Sequence, residues 1–74
     1  MTSSDFELRG EHIALAALLK ASGIASSGGA AKALLAEAQV RVNGEPESRR
    51  GRKLRDGDEV TVGEQRIRVR RHDR

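Results

Sequence analysis

The alternation of apolar and polar positions changes character twice along the chain, and the changes mark its elements. Phe6-Glu7-Leu8 alternates and predicts a short opening strand. From Ile13 to Ala21 the spacing becomes helical, with Leu15, Leu18 and Leu19 at i, i+3 and i+4 forming one apolar stripe. Gly23 suits the left-handed position that ends such a helix, and Ile24 is expected to fill the corner that follows. Ser26-Ser27-Gly28-Gly29 signals a new start, because a serine oxygen can accept an orphan N–H of the next helix. That second helix is read over Gly29–Ala38. Ala31, Leu34, Leu35 and Ala38 fall on one face of it, directed at the first helix, and the small alanines permit close approach.

From Val40 the period drops to that of a strand. Val40 and Val42 turn inward and Arg41 outward. Asn43-Gly44 is a type I′ hairpin signal, and Pro46 restricts the returning strand to an edge or a very short ladder. Leu54 is expected to anchor the segment that follows. Asp56-Gly57 turns the chain into a strand over Glu59–Val62 with Val60 and Val62 inward. Gly63-Glu64-Gln65 turns it again into a last strand over Arg66–Arg70, with Ile67 and Val69 inward. Residues 1–4 and 71–74 are expected to fray. The resulting class is α+β: two packed helices against a small, curved, mainly antiparallel sheet, in one domain spanning residues 1–74.

Composition narrows what such a domain can do. A chain of 74 residues supports one small core and no deep substrate pocket besides. It has no cysteine, which excludes disulfides and thiolate zinc sites and suits a reducing, cytoplasmic setting. No apolar run is long enough to span a bilayer, and Met-Thr-Ser-Ser-Asp lacks the basic and apolar regions of a signal peptide. The two histidines, His12 and His72, have no nucleophile or metal-ligand spacing around them, so neither catalysis nor a cofactor is expected.

Charge is uneven. Residues 1–48 hold four basic and six acidic side chains, whereas residues 49–74 hold ten basic and five acidic, a balance of −2 against +5. This asymmetry points to a polyanionic partner. The densest part is Arg49, Arg50, Arg52, Lys53 and Arg55, bounded by the turn signals at Asn43-Gly44 and Asp56-Gly57. A basic run framed by strands can hold its charges in fixed positions, and the planar donor fork of arginine suits phosphate. Gly51 lets the segment bend so that several charges share a face. Glu45 and Glu47 are near enough to pair with it, which would make the run an ordinary solvated charge cluster. Arg41 projects beside this loop and can join it. Arg66, Arg68 and Arg70 are ambiguous: their alternation is what any exposed strand face shows, and an additional surface for the polyanion is the alternative.

Two helices leading into Val42-Asn43-Gly44, then Arg49-Arg50-Gly51-Arg52-Lys53-Leu54, then Leu54 to Val62 ending in G-D-x-V-x-V, closely resemble the S4-type RNA-binding domain, or αL RNA-binding motif. Ser27, Gly28, Gly29, Ala31 and Lys32 extend the likeness to small stand-alone bacterial proteins of that kind. Two positions depart from the pattern. Many S4 domains carry an arginine after the capping serine, where this chain has Gly28, and a glycine at the end of the second helix, where it has Ala38. The resemblance implies noncatalytic binding of structured RNA, ribosomal or transfer, in a ribosome-linked setting. Contacts with ribosomal proteins would then be in reach, and a monomer is expected.

On that basis the RNA site comprises Ser27, Gly28, Gly29, Lys32, Arg41, Arg49, Arg50, Arg52, Lys53 and Arg55. The Ser27-Gly28-Gly29 turn opens a helix whose free N–H groups and dipole attract anions, and glycines let a phosphate come close. Asn43 is read as a turn residue. Phe6 is the single aromatic residue, so an aromatic platform for stacking bases cannot be built, and recognition must rest on phosphates, 2′-hydroxyls and RNA shape. DNA is disfavoured because the second helix offers few side chains to read a major groove. The competing reading is a protein-interaction module docking an acidic partner, for example on a ribosome-associated complex.

Overall fold

The computed structural model of the protein describes residues 2–71. In chain order its elements are β1 (Thr2–Leu8), β2 (Ile13–Ala14), α1 (Leu15–Ala21), α2 (Gly28–Ala36), β3 (Val40–Val42), β4 (Glu45–Pro46), β5 (Lys53–Leu54), β6 (Glu59–Val62) and β7 (Gln65–Arg71). Five strands form one mixed sheet in the order β1-β7-β6-β3-β4, with β1 parallel to β7 and the other pairs antiparallel. β2 and β5 make a separate two-stranded antiparallel ladder. The fold is α+β, two helices packed against the sheet, as the periodicities predict.

Register explains where the core lies. Val42 stands opposite Val60 and Val60 opposite Ile67, so the inward valines and isoleucine of three strands line up on one face. Leu15, Leu18 and Leu19 of α1 and Ala31 and Leu35 of α2 close over that face, and all are buried. Each fully buried leucine contributes about 1.5–3 kcal/mol relative to an exposed one. Ala31 at 0% exposure is the small residue that lets α2 approach the core. Leu54, also fully buried, pairs with Ile13 and ties the basic segment to the start of α1.

Several boundaries differ from the pattern reading, each for a physical reason. The opening strand is longer than Phe6–Leu8. Residues 2–4, expected to fray, pair in parallel register with 65–67, and Arg71 stands opposite Leu8 as the last residue of β7. This pairing spans nearly the whole chain, and alternation within one strand carries no sign of its partner. Met1 and residues 72–74, the rest of the expected frayed ends, lie outside the described residues. α1 starts at Leu15 rather than Ile13, because Ile13 and Ala14 are drawn into the ladder with Leu54 and Lys53. His12 precedes β2.

α2 runs Gly28–Ala36 rather than Gly29–Ala38. Ala38 is exposed and left-handed, at φ 58°, instead of continuing the inward face. It occupies the helix-ending conformation that glycine adopts without strain. The hairpin after β3 is as read, with positive φ at both Asn43 (53°) and Gly44 (86°).

Candidate nucleic-acid interface

The basic segment is held by its backbone. The α1 N-cap residue, Ala14, offers no side-chain cap. Instead the N–H of Leu15 donates to the carbonyl of Arg52 at 2.8 Å, and the N–H of Ala16 to the carbonyl of Arg50 at 3.1 Å. Two orphan donors of the helix start are thus satisfied by the loop. Arg52 N–H also donates to the Arg49 carbonyl at 3.3 Å, closing a turn around Gly51. With the carbonyls turned to the helix, Arg49, Gly51, Arg52, Lys53 and Arg55 line an open concavity of about 410 Å3.

A carboxylate sits among these cations. Glu47 accepts from Arg49 in a two-point fork, Nε at 3.0 Å and Nη2 at 3.2 Å, and from Arg52 Nη1 at 2.8 Å. It also accepts the backbone N–H groups of Ser48 and Arg49, both at 3.2 Å. The Glu47 side chain is only 9% exposed, beneath an Arg49 that is 73% exposed. The Arg49 side chain foremost, then Arg52 and the Arg49 N–H, hold its carboxyl down from the ordinary 4.5 to about 2. The same contact pushes the Arg49 guanidinium up. Both guanidinium groups retain donors that Glu47 does not use. Arg50, Lys53 and Arg55 are exposed and form no side-chain ion pair among the described residues. Of Glu45 and Glu47, the two carboxylates near enough along the chain to pair with this segment, Glu47 makes the pairs.

The second group lies at the start of α2. Ser27 is its N-cap, extended at φ −157°, and its hydroxyl accepts the Ala30 N–H at 3.1 Å. Ala31 N–H makes the first intrahelical bond, to the Ser27 carbonyl. The N–H groups of Gly28 and Gly29 have no partner among the described residues. A Cβ at Gly28 would meet nothing within 4 Å, and one at Gly29 would touch only Ser27 Oγ at 3.8 Å. The protein's own packing thus requires neither glycine, although glycine weakens a helix. Lys32 is exposed on the same helix with no ion pair among the described residues.

No hydrogen bond or ion pair among the described residues joins Ser27 or Lys32 to the basic loop. The loop is fixed to the first turn of α1, whereas Ser27 follows its last turn. Arg41 points away from the core and donates to the carbonyl of Gly44 at 3.3 Å, bracing the hairpin and not the loop. Across the outer face of the sheet, Arg66 and Arg68 approach Glu59 at 3.6 and 3.8 Å and Arg70 approaches Asp5 at 3.3 Å. These three arginines belong to a cross-strand ladder of mixed charge.

Sequence reasoning assigned Asn43 to the turn alone. It also donates to Asp58 Oδ1 at 3.1 Å and accepts the Glu59 N–H at 2.9 Å, and Asp58 Oδ2 in turn takes the Arg55 N–H at 2.8 Å. The hairpin and the end of the basic segment are therefore clamped together. It likewise missed Glu47 as the organiser of the loop; its signal was a carboxylate two residues before Arg49 and five before Arg52.

Residues 6–70 match the family model described as the S4 domain. The chain belongs to the S4 domain family. It is also similar to the Probable ribosome maturation protein RlbA of Bacillus subtilis (strain 168), being 50% identical over 52 residues, which cover 70% of this chain and 73% of that protein. The matched residues take in both the α2 start and the basic loop.

Proposed function

We propose that this S4 domain binds structured RNA, ribosomal or transfer, without catalysing a reaction on it, and that it acts on ribosomal particles in the cytoplasm as a monomer. The observation that carries the reading is the cationic concavity of Arg49, Arg52, Lys53 and Arg55, whose backbone is bonded to the first turn of α1. Charges mounted on a helix start hold a fixed pattern, and a fixed pattern of donors suits the phosphates of a folded backbone. The Gly28 and Gly29 N–H groups, without a partner among the described residues, and Lys32 one turn on supply a second anion-attracting point. The ribosomal setting draws on the relative whose name describes ribosome maturation. No helix among the described residues is long and apolar enough to cross a membrane.

About five phosphate contacts make the affinity fall on the order of a hundredfold or more between about 50 and 200 mM salt, through counterion release. Crosslinking in bacterial cells followed by sequencing of the attached RNA tests the reading. Enrichment at one site in ribosomal or transfer RNA is the expected result. Recovery of no RNA above background would overturn it in favour of a protein partner with an acidic surface.

A further inference from the structure

An RNA-binding loop gains attraction from every added positive charge, so a nearly buried carboxylate at its centre opposes raw affinity. Glu47 is that carboxylate. It takes five hydrogen bonds: three from the side chains of Arg49 and Arg52 and two from the N–H groups of Ser48 and Arg49. Its own N–H donates to the Val40 carbonyl at 3.0 Å, which extends the β3–β4 pairing and fixes it to the sheet. One residue therefore connects the sheet, through its N–H, with the loop backbone and two guanidinium groups, through its carboxylate. With a carboxyl held at about 2, it stays ionised throughout the range in which RNA is stable.

We propose that Glu47 is the positioning residue that gives the basic loop its selectivity for folded RNA over flexible single strands. The proposal rests on the RNA-binding reading above and adds a residue that opposes RNA electrostatically. Arg49 and Arg52 share one carboxylate, so their guanidinium planes keep a fixed separation and orientation. Fixed donors match only a backbone whose phosphates are themselves fixed. Freed side chains would follow any polyanion, because a flexible strand and a flexible cation adapt to one another. Preorganisation also spares the ordering of two long side chains on binding, an advantage realised only when the ligand fits.

The test uses the full chain and its Glu47→Gln variant, which keeps the shape and removes the charge. Each is titrated with a ribosomal-RNA stem-loop and with poly-uridine of equal length, and loop order is read without RNA from the 15N relaxation of the Arg49 and Arg52 Nε–H groups. Expected in E47Q are increased Nε–H mobility, unchanged or tighter poly-uridine binding, and a stem-loop preference reduced about tenfold. An unchanged preference, or equal tightening toward both RNAs, would overturn the proposal and leave Glu47 as a neutralising charge only. Equally rigid Nε–H groups in the two proteins would overturn it too. If the parent protein binds neither RNA, the RNA reading itself fails and the selectivity proposal that rests on it falls with it, an outcome distinct from binding with an unchanged preference.

Discussion

The backbone N–H of Leu15 donates to the carbonyl of Arg52 at 2.8 Å, so the residue that starts α1 and the residue at the centre of the basic loop share a peptide contact. Arg52 contributes to the fold through its carbonyl and to the charged surface through its guanidinium. The two roles are separable by mutation. Replacing Arg49, Arg50, Arg52 and Lys53 together with alanine keeps every carbonyl that accepts from α1. The variant is expected to keep its circular dichroism spectrum while its RNA affinity falls and the slope of log affinity against log salt flattens by about 3–4. A folded variant with parental affinity would show that the loop is not the site.

The start of α2 separates binding from stability in the opposite sense. Gly28 and Gly29 have room for a Cβ, and glycine is a poor helix residue. The double variant G28A/G29A is expected to be more stable by a few tenths to about 1 kcal/mol. If phosphate sits against these N–H groups, the added methyl groups obstruct it and RNA affinity drops about tenfold. Thermal melts and RNA titration on the same preparation read both effects. Gain of stability with no loss of binding would remove Gly28 and Gly29 from the site.

Asn43 combines a left-handed backbone with two side-chain hydrogen bonds, to Asp58 and from Glu59. Asn43→Ala is expected to cost about 1–3 kcal/mol, since it loses both bonds and strains φ. Asn43→Gly relieves the strain and should cost less. Denaturant unfolding of the pair apportions the effect between turn and clamp.

Ala38 carries φ 58° in an exposed position after α2. Ala38→Gly is expected to stabilise the protein by about 1 kcal/mol, because left-handed strain outweighs the entropy glycine loses on folding. The melting temperature should rise by about 4–8 °C. A fall instead would mean that the neighbouring peptides, and not the Cβ, set the cost of this turn.

The depressed Glu47 carboxyl gives stability a pH signature. Its folded value is about 2 against the ordinary 4.5, so it binds fewer protons folded than unfolded in that interval. Its stabilising contribution is fully present above 4.5 and is lost as pH falls from there toward 2. Melting curves of the parent protein and E47Q are expected to differ most near about pH 6 and to converge as acid is added. A constant difference at all pH values would show that the Gln amide, and not the lost charge, is responsible.

The chain by itself determined what depends on local order. The leucine spacing of α1, the serine cap of α2, the positive φ of Asn43-Gly44 and the alternating valines of β3 and β6 are all set by residues within a few positions of one another. The crowding of Arg49, Arg50, Arg52, Lys53 and Arg55 between two turns was equally plain, as was the S4 likeness it carries. Tertiary structure alone decided the parallel pairing of β1 with β7, the pairing of Ile13 with Leu54, and the capping of α1 by loop carbonyls. It also decided that Glu47, and not Glu45, would gather Arg49 and Arg52. For Glu47 the choice follows from its N–H bond to the Val40 carbonyl, which sets it beside the loop; for the three backbone pairings it follows from separation along the chain. Periodicity records which side of an element is apolar, but a hydrogen-bond partner forty or sixty residues away is chosen by the packing of the whole core, which brings the two backbones within reach.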